Sequence, residues 1–183
     1  MNQRKNDGAL FSSTNTVEVR HKFDASADLL FEAWTTPEKI EEWWGPEGYT
    51  VRVVSLELRI GSGSVFEMTS PNGSSCVMTG TLISIERPRR LAFELLTHCN
   101  LELPAGVPEQ LEPALVVVQF LAHRDGCEVV LTHGPVLRDY DTVAAMSWRQ
   151  VLSSIRITPD LNPSHPPARH SPTRQETRNT RAF

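Results

Sequence analysis

Between residues 49 and 133 the sequence alternates apolar and polar side chains, and this pattern limits the possible folds more than any other feature. Alternation with a period of two is typical of β-strands that bury one face. Six segments show it, at residues 49–58, 64–69, 75–86, 90–97, 114–123 and 127–133. Turns such as Pro71-Asn72-Gly73 and Asp125-Gly126 supply the positive φ that tight hairpins need. The sequence therefore predicts an antiparallel sheet.

A seventh strand and two short helices are predicted before these segments. Val17, Val19 and His21 alternate with charged residues and indicate a first strand. Ser26 can cap a first helix, whose apolar face ends at Trp34. Thr36-Pro37 is typical of the start of a second helix, with threonine as the cap and proline in the first turn.

One long helix is predicted after the strands, over residues 140–155, with Asp139 or Asp141 as its cap. Its apolar face consists of Ala144, Trp148, Val151, Leu152 and Ile155. A helix is about 10 Å across, so one helix cannot fill the concave side of seven bent strands. The sequence therefore predicts an α+β fold with an apolar pocket between a curved sheet and the C-terminal helix.

The predicted domain covers residues 15–155. Residues 1–14 are polar and aperiodic and are interpreted as a flexible leader without the apolar core of a signal peptide. Residues 156–183 hold five of the 13 prolines and few apolar side chains. Such a segment buries too little surface to offset its ordering entropy, so a disordered Pro/Arg-rich tail is predicted.

Charge and composition argue against several classes of partner. The net charge is −4, which gives no basic excess for nucleic acid. No run approaches the roughly 18 apolar residues that span a bilayer, so no membrane partner is expected. Cys76, Cys99 and Cys127 are odd in number and widely spaced, which favours reduced thiols and a cytoplasmic location. A monomer or a homodimer is expected.

The candidate ligand-binding residues are the aromatic and apolar side chains expected on the inner face, together with one histidine. They are Trp34, Trp43, Trp44, Phe66, Met68, Met78, Phe93, Leu95, Val118, Phe120, His133 and Trp148. Any of them can instead be ordinary core. Trp43 and Trp44 are adjacent on a short helix and cannot both point inward, so one of them is expected at the rim.

Alternate residues of a strand face the same side of the sheet, so His133 is expected to point inward with Val129 and Leu131. It could be a polar anchor for a ligand or a general base, and the alternative is a histidine that hydrogen bonds to backbone. No catalytic residue, metal ligand or cofactor is assigned, because the sequence has no C-x-x-C, no H-x-x-x-H and no phosphate-binding glycine loop.

Several short motifs resemble one known family. They are Phe31-Glu32-Ala33-Trp34-Thr35, Trp43-Trp44-Gly45-Pro46, Arg90-Leu91-Ala92-Phe93 and Leu131-Thr132-His133. Together they are similar to the bacterial branch of the activator of heat-shock-protein-90 ATPase-like proteins, within the START/Bet v 1-like (SRPBCC) superfamily. The resemblance implies a helix-grip fold with a deep hydrophobic pocket, and members are similar to lipid and polyketide binders and to aromatase/cyclases.

The leading functional hypothesis is the binding of a small hydrophobic ligand, such as a lipid, polyketide or aromatic metabolite, in this pocket. Two alternatives stay open. A cyclase- or hydrolase-type enzyme would need at least two polar groups that converge inside the pocket. A co-chaperone-like protein-interaction domain would expose tryptophan at the Trp43/Trp44 rim.

Overall fold

A seven-stranded, curved antiparallel sheet forms the body of the molecule, in the strand order β1-β7-β6-β5-β4-β3-β2. The computed structural model describes residues 14–99 and 113–157. The strands are β1 Thr14–Phe23, β2 Thr50–Leu56, β3 Gly63–Thr69, β4 Ser75–Glu86, β5 Arg90–Cys99, β6 Ala114–His123 and β7 Gly126–Leu137. All seven predicted strands are present, and the predicted α+β helix-grip architecture is confirmed.

Three α-helices accompany the sheet. They are α1 Ala27–Ala33, α2 Pro37–Trp43 and α3 Asp141–Ser154, and a short 3-10 turn, Arg138–Tyr140, precedes α3. Ser26 caps α1 as predicted, because its side chain accepts a hydrogen bond from the Leu29 amide at 3.3 Å. Thr36 occupies the cap position of α2 without a side-chain cap bond, and proline follows it in the first turn.

The start of α3 differs from the prediction. Tyr140 is the N-cap residue and makes no side-chain cap bond, so neither predicted aspartate caps the helix. Asp141 instead accepts a hydrogen bond from Asn15 Nδ2 at 2.7 Å. This contact ties the first turn of α3 to the beginning of β1, 126 residues away in the chain, and a sequence pattern carries no information about it.

The core lies on the concave side of the sheet. Val116, Val118, Val129 and Leu131 are fully buried there, and Leu152 of α3 is buried against them. The helix α3 packs against β1 and β7, while α1 contacts β6 and α2 contacts β2. The helices therefore cover the two sides of the concave face more closely than its middle.

The cysteines do not follow the prediction of reduced thiols. Cys76 is disulfide-bonded, and its Cα lies opposite that of Cys99 in the β4–β5 register. Cys127 is a buried free thiol, and burial raises its pKa. A disulfide bond forms by the oxidation of two thiols, so Cys76 and its partner depart from the predicted reduced state.

The predicted ends of the domain stay predictions. The strand β1 already includes Thr14, and residues 156 and 157 follow α3. The rest of the predicted leader and tail, and residues 100–112 between β5 and β6, lie outside the described residues.

Gly126 offers a test of the β6–β7 hairpin. Its φ is +146°, and an added Cβ would lie 2.1 Å from the backbone oxygen of Phe23. Gly126→Ala should lower the free energy of unfolding by at least about 3 kcal/mol, because backbone rather than a flexible side chain blocks the space. Gly73→Ala is the matched control: its φ is +88° with nothing within 4 Å, so only the left-handed backbone cost of about 1 kcal/mol is expected. Urea denaturation measures both, and equal losses would contradict this account.

Candidate functional site

A cavity of about 270 Å³ lies between α3 and the middle of the sheet. It forms because α3 packs against β1 and β7, which leaves the concave side of β3, β4 and β5 without a helix directly on it. Its lining residues are Trp44, Gly45, Pro46, Met68, Met78, Leu95, Ser147, Trp148, Gln150 and Val151. The predicted apolar pocket between sheet and helix is therefore present as a space.

A second, smaller cavity of about 50 Å³ lies toward β2 and β3. It is lined by Trp34, Thr35, Ile40, Trp44, Leu56, Glu57, Leu58, Ser62, Ser64, Phe66, Leu82, Leu91 and Phe93. Polar groups are more prominent here, since a threonine, two serines and a glutamate line it. We call the two spaces the larger cavity and the smaller cavity.

Trp44 lines both cavities. Its indole stacks on Phe66 at a centroid distance of 5.5 Å and an interplanar angle of 11°. It meets Trp148 of α3 edge-on at 5.6 Å. Trp44 thus forms a wall that the larger and smaller cavities share.

The prediction that only one of the adjacent tryptophans could point inward is wrong. Trp43 is 4% exposed, and Trp44 is half-buried against Phe66. The two indoles contact each other at a centroid distance of 5.4 Å, and both contact Trp34 at the end of α1. The end of α2 therefore presents both side chains to the same aromatic cluster.

All four tryptophans of the chain belong to one cluster. Trp34 contacts Trp43 at 4.7 Å and stacks on Trp148 at 6.4 Å. Trp43 donates its indole N–H to the backbone oxygen of Ala33 at 3.1 Å. The cluster therefore joins α1, α2 and α3 through aromatic contacts, beside the Lys39–Glu32 ion pair that links α1 and α2 at 2.9 Å.

His133 faces inward as its parity predicted, but it lines neither cavity. Its Nδ1 accepts a hydrogen bond from Trp148 Nε1 at 3.0 Å. The partner is thus a side chain and not the expected backbone group. Burial lowers the pKa of His133 below its ordinary value of 6.5, which favours the neutral ring that can accept this bond.

The other predicted residues separate into three groups. The larger cavity is lined by Met68, Met78, Leu95 and Trp148, and the smaller by Trp34, Phe66 and Phe93, with Trp44 in both. Trp43, Val118 and Phe120 are buried in the core and line neither cavity. Their role in binding stays a prediction.

The sequence did not place several lining residues among the ligand-binding candidates, although Val151 was expected on the apolar face of the helix. Ser147, Gln150 and Val151 flank Trp148 along the cavity side of α3, and the helical period around Trp148 was a usable signal for them. Ser62 and Glu57 belong to the connection between β2 and β3. No periodicity marks a turn residue as pocket lining, so these two had no sequence signal.

The described residues show no other familiar type of site. Within residues 14–99 and 113–157, no group of three or more His, Cys, Asp or Glu could hold a metal ion. In the same ranges no helix is long and apolar enough to cross a membrane. Glu94 and Gln119, which could have supplied polar groups for catalysis, are exposed.

Comparison with known families decides the family of this chain. The family described as activator of Hsp90 ATPase homolog 1-like protein matches residues 24–158. The chain belongs to this family. The activator of Hsp90 ATPase homolog 1-like proteins are part of the START/Bet v 1 (SRPBCC) superfamily, so the resemblance seen in the sequence is confirmed. No curated protein matches the chain.

Solved structures support the same fold. A protein from Chromobacterium violaceum has a TM-score of 0.67 at 16% identity, with 77% of this chain and 94% of that chain covered. An Arthrobacter aurescens protein has a TM-score of 0.66 at 18% identity, with coverage of 76% and 83%. An AHSA1-like protein from Aeromonas hydrophila has a TM-score of 0.63 at 18% identity, with coverage of 77% and 89%. At these identities the likeness concerns the fold alone.

The His133–Trp148 contact predicts how stability depends on pH. Because the folded-state pKa of His133 lies below 6.5, the unfolded chain binds more protons as pH falls through that value. Stability from this residue is therefore complete above pH 6.5 and is lost between there and the lower folded-state pKa. One such proton adds a slope of at most about 1.4 kcal/mol per pH unit.

His133→Gln keeps an acceptor for Trp148 but does not titrate in this range. The variant should lose less stability than the wild type between pH 7.5 and pH 5. Urea denaturation at closely spaced pH values measures the free energy of unfolding of both proteins. Subtracting one pH profile from the other cancels the contribution of the other five histidines. Parallel pH profiles for the two proteins would show that His133 is not the group that titrates.

Proposed function

We propose that this protein binds a small hydrophobic molecule in the larger cavity. The observation that carries the proposal is an apolar space of about 270 Å³ between α3 and strands β3–β5. Its sheet side presents Met68, Met78 and Leu95, and its helix side presents Trp148 and Val151. An apolar cavity with a few polar groups at its edge is the usual form of a small-molecule site.

The volume indicates the size of the ligand. An apolar cavity of about 150 Å³ is enough for benzene. A space of about 270 Å³ therefore suits a bicyclic aromatic molecule or a short, branched hydrocarbon chain better than a long-chain lipid. Two methionines support some adaptability, because the thioether side chain fits irregular shapes at little cost.

The alternative functions receive less support from the geometry. A protein-interaction surface at the Trp43/Trp44 rim needs exposed tryptophan, and Trp43 is buried while Trp44 is half-buried and packs on Trp43 and Phe66. A cyclase or hydrolase needs acid–base groups that converge in the cavity. His133 lies outside it, and Ser147 and Gln150 are the polar side chains among the described residues that line it.

Val151 tests the site by filling it. Val151→Phe adds a ring on the cavity side of α3, so the affinity for a neutral naphthylamine probe should fall at least tenfold, which corresponds to about 1.4 kcal/mol. Fluorescence titration measures the affinity, and the wild-type complex should also show quenched emission from Trp44 and Trp148, which line the cavity.

Val143→Phe is the matched control, because Val143 belongs to the same helix, is 58% exposed and does not line the cavity. It should keep the wild-type affinity within about twofold. Equal losses in both variants would place the probe elsewhere, and absence of probe binding to the wild type would overturn the proposal.

A further inference from the structure

One residue that lines the smaller cavity has a buried polar atom without a partner. Trp34 Nε1 makes no hydrogen bond, whereas the buried Ser62 hydroxyl is directed at the Glu57 carboxylate and helps to lower its pKa. Trp34 is 5% exposed, so water outside the protein does not satisfy its N–H. Both residues line the smaller cavity. A buried unpaired donor costs free energy, and such groups in folded proteins call for an explanation.

Both groups are held in place by the fold. Trp34 ends α1, where its backbone N–H donates to Leu30 and Phe31 at 3.2 Å. Ser62 lies in the turn before β3, where its backbone oxygen accepts from the Leu82 amide at 3.0 Å. Groups fixed in this way lose little further freedom when a ligand binds, which is the property expected of a recognition site.

We infer that the smaller cavity receives the polar end of the hydrophobic ligand, a neutral carbonyl or hydroxyl oxygen that accepts a hydrogen bond from Trp34 Nε1. This inference rests on the proposed function, because the apolar body of the same ligand occupies the larger cavity.

The ligand atom must be an acceptor, because an indole N–H can only donate. Ser62 Oγ, whose hydroxyl is directed at Glu57, can then accept a hydrogen bond from a ligand hydroxyl. The two other hydroxyls that line the smaller cavity already donate to backbone oxygens, Thr35 Oγ1 to Phe31 at 2.8 Å and Ser64 Oγ to Gly80 at 3.4 Å.

The ligand oxygen is neutral because the smaller cavity has nothing to balance an anion. Among the described residues that line it, the one charged side chain is Glu57. The hydrogen bond from Arg59 holds the pKa of Glu57 below its ordinary value, and the nearby Ser62 hydroxyl contributes. Arg59 is engaged with this carboxylate at 2.8 Å. A buried ligand carboxylate would therefore meet a like charge and no free cation.

The sizes of the two cavities place the ligand. About 50 Å³ holds a few non-hydrogen atoms and not a ring, so it suits a terminal functional group. Trp44 forms the shared wall and directly precedes Gly45, whose φ is +114°. The inference therefore requires the Trp44 indole to move aside when one molecule occupies both spaces.

Three naphthalenes with the same substitution position test the inference by competition with the naphthylamine probe. Acetylnaphthalene carries a ketone, isopropenylnaphthalene has nearly the same shape without oxygen, and naphthoate carries a charge. The measured quantity is the affinity ratio of ketone to hydrocarbon. Comparing this ratio between protein variants cancels the difference in hydration of the two ligands.

Trp34→Phe should reduce the ketone-to-hydrocarbon ratio about fivefold, as expected for the loss of one hydrogen bond, and leave hydrocarbon affinity within about threefold. Trp43→Phe is the matched control, because its N–H donates to Ala33 and it lines neither cavity. It should keep the wild-type ratio. An unchanged ratio in Trp34→Phe, or an equal reduction in both variants, overturns the inference.

If the wild type binds naphthoate more tightly than acetylnaphthalene, the inference that the ligand oxygen is neutral is wrong. If the hydrocarbon binds and the ratio does not depend on Trp34, the inference alone fails. If none of the three molecules displaces the probe from the wild type, the proposed function fails with it.

A second measurement covers the case in which Trp34→Phe does not fold. Each of the four indoles gives one N–H signal in a heteronuclear NMR spectrum of the wild type, and Phe replacements of Trp43, Trp44 and Trp148 assign the fourth to Trp34. Acetylnaphthalene should move the Trp34 indole proton further downfield than isopropenylnaphthalene does. Equal shifts with the two ligands overturn the inference.

Discussion

The concave side of the sheet is apolar and must be covered, yet the described part of the chain has one long helix and two short ones to cover it. The helix α3 packs on β1 and β7, and α1 and α2 reach β6 and β2. The space above β3–β5 is left to side chains of residues that follow α2 and to one face of α3. The result is a largely apolar space of about 270 Å³ beside α3.

The tryptophan cluster sets both the shape and the chemistry of this space. Trp34, Trp44 and Trp148 bring α1, the end of α2 and α3 into direct contact. Their large rings stabilise the packing of three short elements that would be marginal alone. They also differ in how their N–H groups are satisfied: Trp43 donates to backbone, Trp148 donates to His133, and Trp34 has no acceptor. Trp43 and Trp148 therefore use their N–H groups within the fold, whereas the Trp34 N–H is the one for which we infer a ligand acceptor.

Much of the fold was predictable because it depends on local chemistry. Hairpin glycines at Gly73 and Gly126 have the positive φ that their turns require, and the alternating segments became strands with their apolar side chains inward. Ser26 caps α1 because a serine before an amphipathic turn can satisfy a free amide wherever it occurs. The cap of α3 could not be predicted, because Asp141 is engaged by Asn15 from a distant strand.

The candidate site was predictable in outline and not in detail. Strand parity identified Met68, Met78 and Leu95 as inner residues, and all three line the larger cavity. The alternation of inner and outer residues could not separate these three from Val118 and Phe120, which belong to the core. All five side chains lie on the inner face of the sheet, and the two sets differ only in whether a helix packs on them. Nor could the alternation show that Trp43 and Trp44 both contact Trp34.

The sequence by itself determined the number and order of the elements, the faces they bury and the family, since hydrophobic periodicity and turn chemistry act between near neighbours. Tertiary structure decided which inner positions border empty space, which tryptophan lacks a partner, and that Cys76 is oxidised. Those properties depend on where α3 comes to rest over the sheet and on contacts between residues far apart in the chain, and no local pattern encodes them.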